Sequence, residues 1–130
     1  MRITLPGLLL VMIAGLAAGL AHGTSAQSPE RVDYARDIQP LLERKCAECH
    51  KGERAKGGFD VTDRTALTQG GKRGEAAIVP GQPDASPLLR YVADQVEDLE
   101  MPPLNKRAKF AALTREEITT LRTWIAAGAK

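Results

Sequence analysis

"KCAECHK" occupies residues 45–51 and holds both cysteines of the 130-residue chain, with His50 directly after the second. Three chemistries compete for Cys46, Cys49 and His50. Two thiols at i and i+3 can each add to a vinyl group on one edge of a porphyrin, and the next imidazole then reaches the iron from one face. That is the spacing of covalent haem attachment. A thioredoxin-like dithiol follows a strand in a βαβ unit, whereas here a helical pattern precedes the cysteines. A structural zinc site wants four ligands, and the stretch offers three. The blandest reading, a disulfide, closes a loop too short to add much stability and leaves His50 without a role. Haem uses all three residues.

Upstream, "DIQPLLERKC" (37–46) reads as a helix. Asp37 suits its N-cap, and Pro40 falls in the first turn, where a missing N–H loses nothing. Ile38, Leu41, Leu42 and Cys46 keep helical spacing, so an apolar stripe runs into the first cysteine. Downstream, "HKGERAKGG" (50–58) is a basic, glycine-rich loop. "VTDRTALTQGG" predicts a short helix capped by Thr62 or Asp63 and stopped at Gly70. Residues 70–86 are mostly loop, with turns at Pro80-Gly81 and Pro83-Asp84. "SPLLRYVADQV" (86–96) starts with Ser86 at N-cap and Pro87 at N1. Residues 97–106, "EDLEMPPLNK", form another loop. "LTREEITTLRTWIAAGA" is the clearest helix: Thr114 and Glu117 make a capping box, Ile118, Leu121, Trp124 and Ile125 share a face, and Gly128 ends it. Nothing alternates with the period of a strand. The expectation is a small all-α domain with long irregular loops.

The first 26 residues stand apart. Arg2 is a short positive lead, and Leu8 to Ala21 is an unbroken apolar or small run of the length of a signal-peptide core. Cleavage is expected after Gly23 or Ala26, giving a signal peptide at 1–26 and one domain at 27–130. The run is short for a membrane span; an uncleaved anchor is the competing reading and the only route to membrane association. Export places the cysteines in an oxidising compartment, and the expected location is periplasmic. A net charge of +2 without long single-sign runs gives no argument for nucleic acid. Aromatic residues make up only 4% of the chain, so the core is aliphatic or is completed by a bound group.

The far side of the iron is read by elimination. Of the two histidines, His22 lies in the leader, and of the three methionines Met1 and Met12 do too. His50 and Met101 remain. A second histidine ligand is absent, and a thioether ligand can only be Met101, in the proline-stiffened "EMPPL". His and Met together favour a raised potential and a six-coordinate iron that shuttles one electron. The competing readings are that Met101 merely packs, or that a lysine ligates.

The order "YARDIQPLLERKCAECHKGERAKGGFDVTDRTALTQGG", "AAIVPGQPDASPLLRYV" and "MPPLNKRAKFAALTREEITTLRTWIAAGA" resembles the planctomycete-type cytochrome c domain over about residues 33–128. CxxCH at 46–50, "KGG" at 56–58, "IVPG" at 78–81, "MPP" at 101–103 and "LxxWI" at 121–125 carry the resemblance in combination. It implies a cytochrome c fold with one haem c, attached through Cys46 and Cys49, with His50 proximal and Met101 distal. The function expected is an electron carrier, not an enzyme, working between unidentified redox partner proteins. A haem enzyme or sensor with an open sixth position, and a haem-bearing interaction module, are the alternatives.

Further expectations attach to single residues. His50 should donate its second ring N–H to a carbonyl; the Pro80 region is one guess. Phe59, Val61, Leu67 and Leu89 are candidates to line the haem, although core packing predicts the same residues. Trp124 is expected against the first helix. Arg44, Lys45, Lys51, Arg54 and Lys56 surround the attachment site and either steer an acidic partner or form a solvated face.

Overall fold

The computed structural model describes residues 31–72 and 74–130. The leader expected at 1–26 and its expected cleavage sites lie outside the described residues. Among the described residues there are helices and turns but no strand, as the periodicity predicts, and no helix is long and apolar enough to cross a membrane.

The first helix begins earlier than the sequence suggests. A π-helical turn, Tyr34–Ile38, runs directly into α1, Gln39–Lys45. Its N-cap is Asp33, whose carboxylate accepts from the Arg36 N–H at 2.9 Å. Asp37, expected as the cap, lies inside the helix and reaches back to accept from the Asp33 N–H at 2.8 Å. The wide turn has its reason in Pro40. A proline ring clashes with the carbonyl four residues back in a regular helix, and here the Gln39 N–H bonds instead to the Tyr34 carbonyl, five residues back.

Three further helices follow: α2, Arg64–Gln69; α3, Pro87–Val92; and α4, Arg115–Ala126. Asp63 caps α2 by accepting from the Thr65 N–H. The capping box of α4 is present, Thr114 and Glu117 each bonding the other's backbone N–H. Short 3-10 turns at Lys56–Gly58, Pro83–Ala85 and Leu104–Lys106 punctuate the loops.

One aliphatic core joins these pieces. Ile38, Leu41 and Leu42 meet Val61, Leu67, Ile78, Leu89, Val92, Leu121, Trp124 and Ile125. Trp124 is buried with its ring 5.5 Å from that of Tyr34, so it packs against the first helix as expected. Its Nε1–H donates to the Lys130 carbonyl at 2.9 Å, which satisfies the one polar atom the indole buries.

Ser86 holds the N-cap position of α3, yet its hydroxyl makes no cap bond. It is fully buried and turns to the preceding loop. There Oγ accepts from the Val79 N–H at 2.9 Å and donates to the Gln82 carbonyl at 2.9 Å. This fixes where α3 begins, and α3 carries one wall of the site.

Candidate functional site

α1 ends at Lys45, and Cys46 is its C-cap. The chain then makes one more helical turn: the N–H groups of Cys49 and His50 both donate to the Cys46 carbonyl, at 3.1 and 2.9 Å. Within such a turn, side chains at i and i+3 share a face. Cys46 and Cys49 therefore face the same way, both thiols free.

His50 is held at three points. Its N–H is used as above, its carbonyl accepts from the Val61 N–H at 2.9 Å, and its ring Nδ1 lies 3.1 Å from the Lys56 carbonyl. A carbonyl can only accept, so this contact puts the proton on Nδ1 and leaves the lone pair on Nε2. The acceptor is thus Lys56 and not the Pro80 region, where the Gly81 N–H pairs with the Ile125 carbonyl on α4. The Lys56 carbonyl gets there because the intervening loop folds back, its own N–H donating to the Cys49 carbonyl at 2.8 Å. Asp60 braces the same loop, accepting from the Gly52 N–H at 2.6 Å and from Thr62 through both its N–H and its hydroxyl. Those bonds, the Thr62 hydroxyl first, hold the Asp60 carboxyl below the usual carboxylate range.

The glycines of "KGG" and "QGG" have a steric reason. The Lys72 N–H donates to the Gly57 carbonyl at 2.8 Å, drawing the two loops together. A Cβ at Gly71 would sit 2.6 Å from the Gly57 oxygen and 2.9 Å from the Phe59 Cβ, closer than real side chains approach. Gly57 itself is left-handed, φ 66°.

These loops form one side of a cleft of about 360 Å³. Cys46, Cys49 and His50 line it, and so does Met101, delivered by the loop after α3. Between them the walls are apolar: Phe59, Leu88, Val92, Leu99, Phe110 and Leu113. The Phe59 ring meets the His50 imidazole edge-on at 5.8 Å. Of the four side chains expected to line the haem, only Phe59 lines the cleft. Val61, Leu67 and Leu89 belong to the buried core. Leu99, Phe110 and Leu113 were missed. Their signal was present: apolar residues without helical period in otherwise polar loops on both sides of "MPP".

Met101 is anchored through its N–H, which donates to the Tyr91 carbonyl at 3.0 Å. This ends α3 early. The pattern over 86–96 suggested a longer helix, but Asp94 turns left-handed, φ 56°, and the chain leaves toward the cleft.

The basic cluster divides. Lys45 and Arg44 both pair with Glu117 of α4, at 3.2 and 3.7 Å. Lys51, Arg54 and Lys56 are exposed. Burial pushes the Cys46 thiol up to about 11, more than Lys45 beside it pulls it down. A reactive dithiol needs a lowered thiol pKa, so this environment opposes the thioredoxin-like reading. Among the described residues no three His, Cys, Asp or Glu side chains gather to hold a metal ion by themselves, which opposes zinc.

The donor set fits a covalently held haem. Two thiols stand on one face, an imidazole has its second nitrogen fixed by a carbonyl, and a thioether lines the same apolar cleft. A family model described as Planctomycete cytochrome C matches residues 46–105. No curated protein and no solved structure matches the chain.

Proposed function

We propose, from the match of residues 46–105 to the Planctomycete cytochrome C family model, that this chain is an exported mono-haem c-type cytochrome. It carries single electrons between periplasmic redox partner proteins and is not an enzyme. The observation that carries this reading is the convergence of Cys46, Cys49, His50 and Met101 on one apolar cleft.

Bound haem supplies a reversible one-electron change at iron. Cys46 and Cys49 would hold the porphyrin edge as thioethers. His50 would offer Nε2 to the iron while Nδ1–H stays on the Lys56 carbonyl, which sets the ring's orientation and tautomer. Met101 would offer its sulfur to the same iron, and a thioether donor would raise the potential. Leu88, Val92, Leu99, Phe110 and Leu113 exclude water, and a dry wall disfavours the more charged oxidised state, in the same direction. The two carboxylates at the cleft, Glu48 and Glu75, are exposed, and Glu48 pairs with Lys109. They belong to a solvated rim and not to acid–base chemistry.

Absorption spectra of the protein, oxidised and reduced, made with a c-haem maturation system, test this. The expected result is sharp c-type bands with a weak far-red iron–sulfur band that Met101→Ala abolishes. Attached haem without that band overturns Met101 ligation and favours an open-iron enzyme or sensor. No covalent haem overturns the reading as a whole. Export rests on the 1–26 leader, and N-terminal sequencing of the mature protein tests cleavage after Gly23 or Ala26.

A further inference from the structure

Arg107 is a half-buried cation in the loop after Met101. Its guanidinium makes a bidentate pair with Asp94, Nη1 to Oδ2 at 2.8 Å and Nη2 to Oδ1 at 2.5 Å. The third guanidinium nitrogen, Nε, donates to the Pro102 carbonyl at 3.0 Å. Asp94 sits just beyond the end of α3, and Pro102 directly follows Met101. The Met101 N–H already donates to the Tyr91 carbonyl of α3. The backbone is thereby tied to the end of α3 on both sides of Met101: directly at its own N–H, and through Arg107 and Asp94 at the next carbonyl.

We propose that Arg107 and Asp94 are positioning residues for the axial ligand: the strap they form with the Pro102 carbonyl keeps the Met101 sulfur over the cleft and so closes the sixth iron position to outside ligands. This rests on the reading of Met101 as a ligand. The geometry of a guanidinium suits the task. It is planar, always charged, and presents its donors in a fixed fork, so one side chain holds a carboxylate with two nitrogens and a backbone carbonyl with the third. Lysine has no such fork. Nearby Leu104 and Lys106 are exposed, while the Met101 side chain itself packs against the core, so the strap adds to that packing by tying the backbone on either side of it.

An outside ligand binds only to the fraction of molecules whose sulfur has left the iron, and its apparent affinity scales with that fraction. The test is cyanide titration of the ferric holoprotein with the far-red band followed in parallel. A charge-assisted hydrogen bond carries about the free energy of a tenfold equilibrium change, so Arg107→Ala should raise apparent cyanide affinity about tenfold or more. The attached haem and its reduced bands should remain. Asp94→Asn, which leaves the Nε donor in place, should give a smaller rise, and Arg107→Lys should recover only part of the wild-type closure. Arg122→Ala, which removes the remote Arg122–Asp84 pair of 2.7 Å, should leave the affinity unchanged. If Arg107→Ala and Asp94→Asn melt lower but match wild type in cyanide affinity and far-red band well below their melting points, the strap is merely structural and the proposal is overturned. If wild type lacks the far-red band and binds cyanide as Met101→Ala does, Met101 is no ligand and both readings fail together.

Discussion

Ser86→Ala tests whether the start of α3, and with it one wall of the cleft, is set by a hydrogen bond to the preceding loop. The hydroxyl is fully buried and makes two good bonds, accepting from the Val79 N–H and donating to the Gln82 carbonyl. Alanine removes both and offers nothing in return. A helix-cap penalty does not enter, because the side chain caps nothing. The cost is that of the part-buried Val79 N–H left without its acceptor, plus one of the two bonds at the Gln82 carbonyl, which keeps the Ala85 N–H, about 2 kcal/mol. For a domain of this size that corresponds to a melting temperature lower by about 8–16 °C. The assay is thermal unfolding of the holoprotein followed by far-UV dichroism, together with amide exchange at single residues. Exchange at Val79 should accelerate more than exchange in the first turn of α3, and the haem bands should persist. A shift under about 3 °C, the range of an ordinary surface change, would refute the reasoning. So would a large shift with Val79 still protected.

Cys46→Ala/Cys49→Ala should prevent haem attachment and leave the apolar cleft walls open to water. The expected product has weak near-UV dichroism and a broad melt; a native-like near-UV spectrum with a sharp transition would refute a haem-dependent fold. The Asp60 carboxyl lies below its ordinary value, so its contribution is fully present above the unfolded pKa and is lost as pH falls through the folded one. Stability should fall in acid, below about pH 4. Asp60→Asn should flatten that limb in melts run from neutral pH downward, and an unchanged acid limb counts against the role given to Asp60. Thr114→Ala should cost about 1 kcal/mol by opening the capping box of α4, with the haem spectrum unchanged; equal stability in denaturant titration would rule the cap unimportant.

Much of the site was readable one residue at a time. The spacing of Cys46, Cys49 and His50 is a local property, because one helical turn brings i and i+3 together wherever the chain goes next. Met101 was singled out by elimination, since only one methionine lies outside residues 1–26, and the structure places it at the cleft. The capping box of α4 and the Asp63 cap of α2 were legible for the same reason: they are closed by residues two or three apart.

What failed to show were one local irregularity in the first helix and the contacts made when loops fold back on one another. Asp37 looked like a cap because the tolerance of the preceding backbone for a π turn around Pro40 leaves no periodic signature. Val61, Leu67 and Leu89 looked no different from cleft residues, since burial against protein and burial against a cofactor select the same side chains. The His50 partner is a backbone carbonyl, and carbonyls carry no mark in the sequence that says which one will accept.

The sequence by itself determined the helical class and the grouping of Cys46, Cys49 and His50, and it singled out Met101 as the candidate thioether, because each depends on residue identity or on spacing within a turn or two. Only the tertiary structure decided which loop accepts from Nδ1, which aliphatic residues line the cleft, and what ties Met101 to α3. Those depend on how separate segments close on one another, where a hydrogen bond between a side chain and a distant main chain is chosen by packing and not by the identity of the residue that receives it.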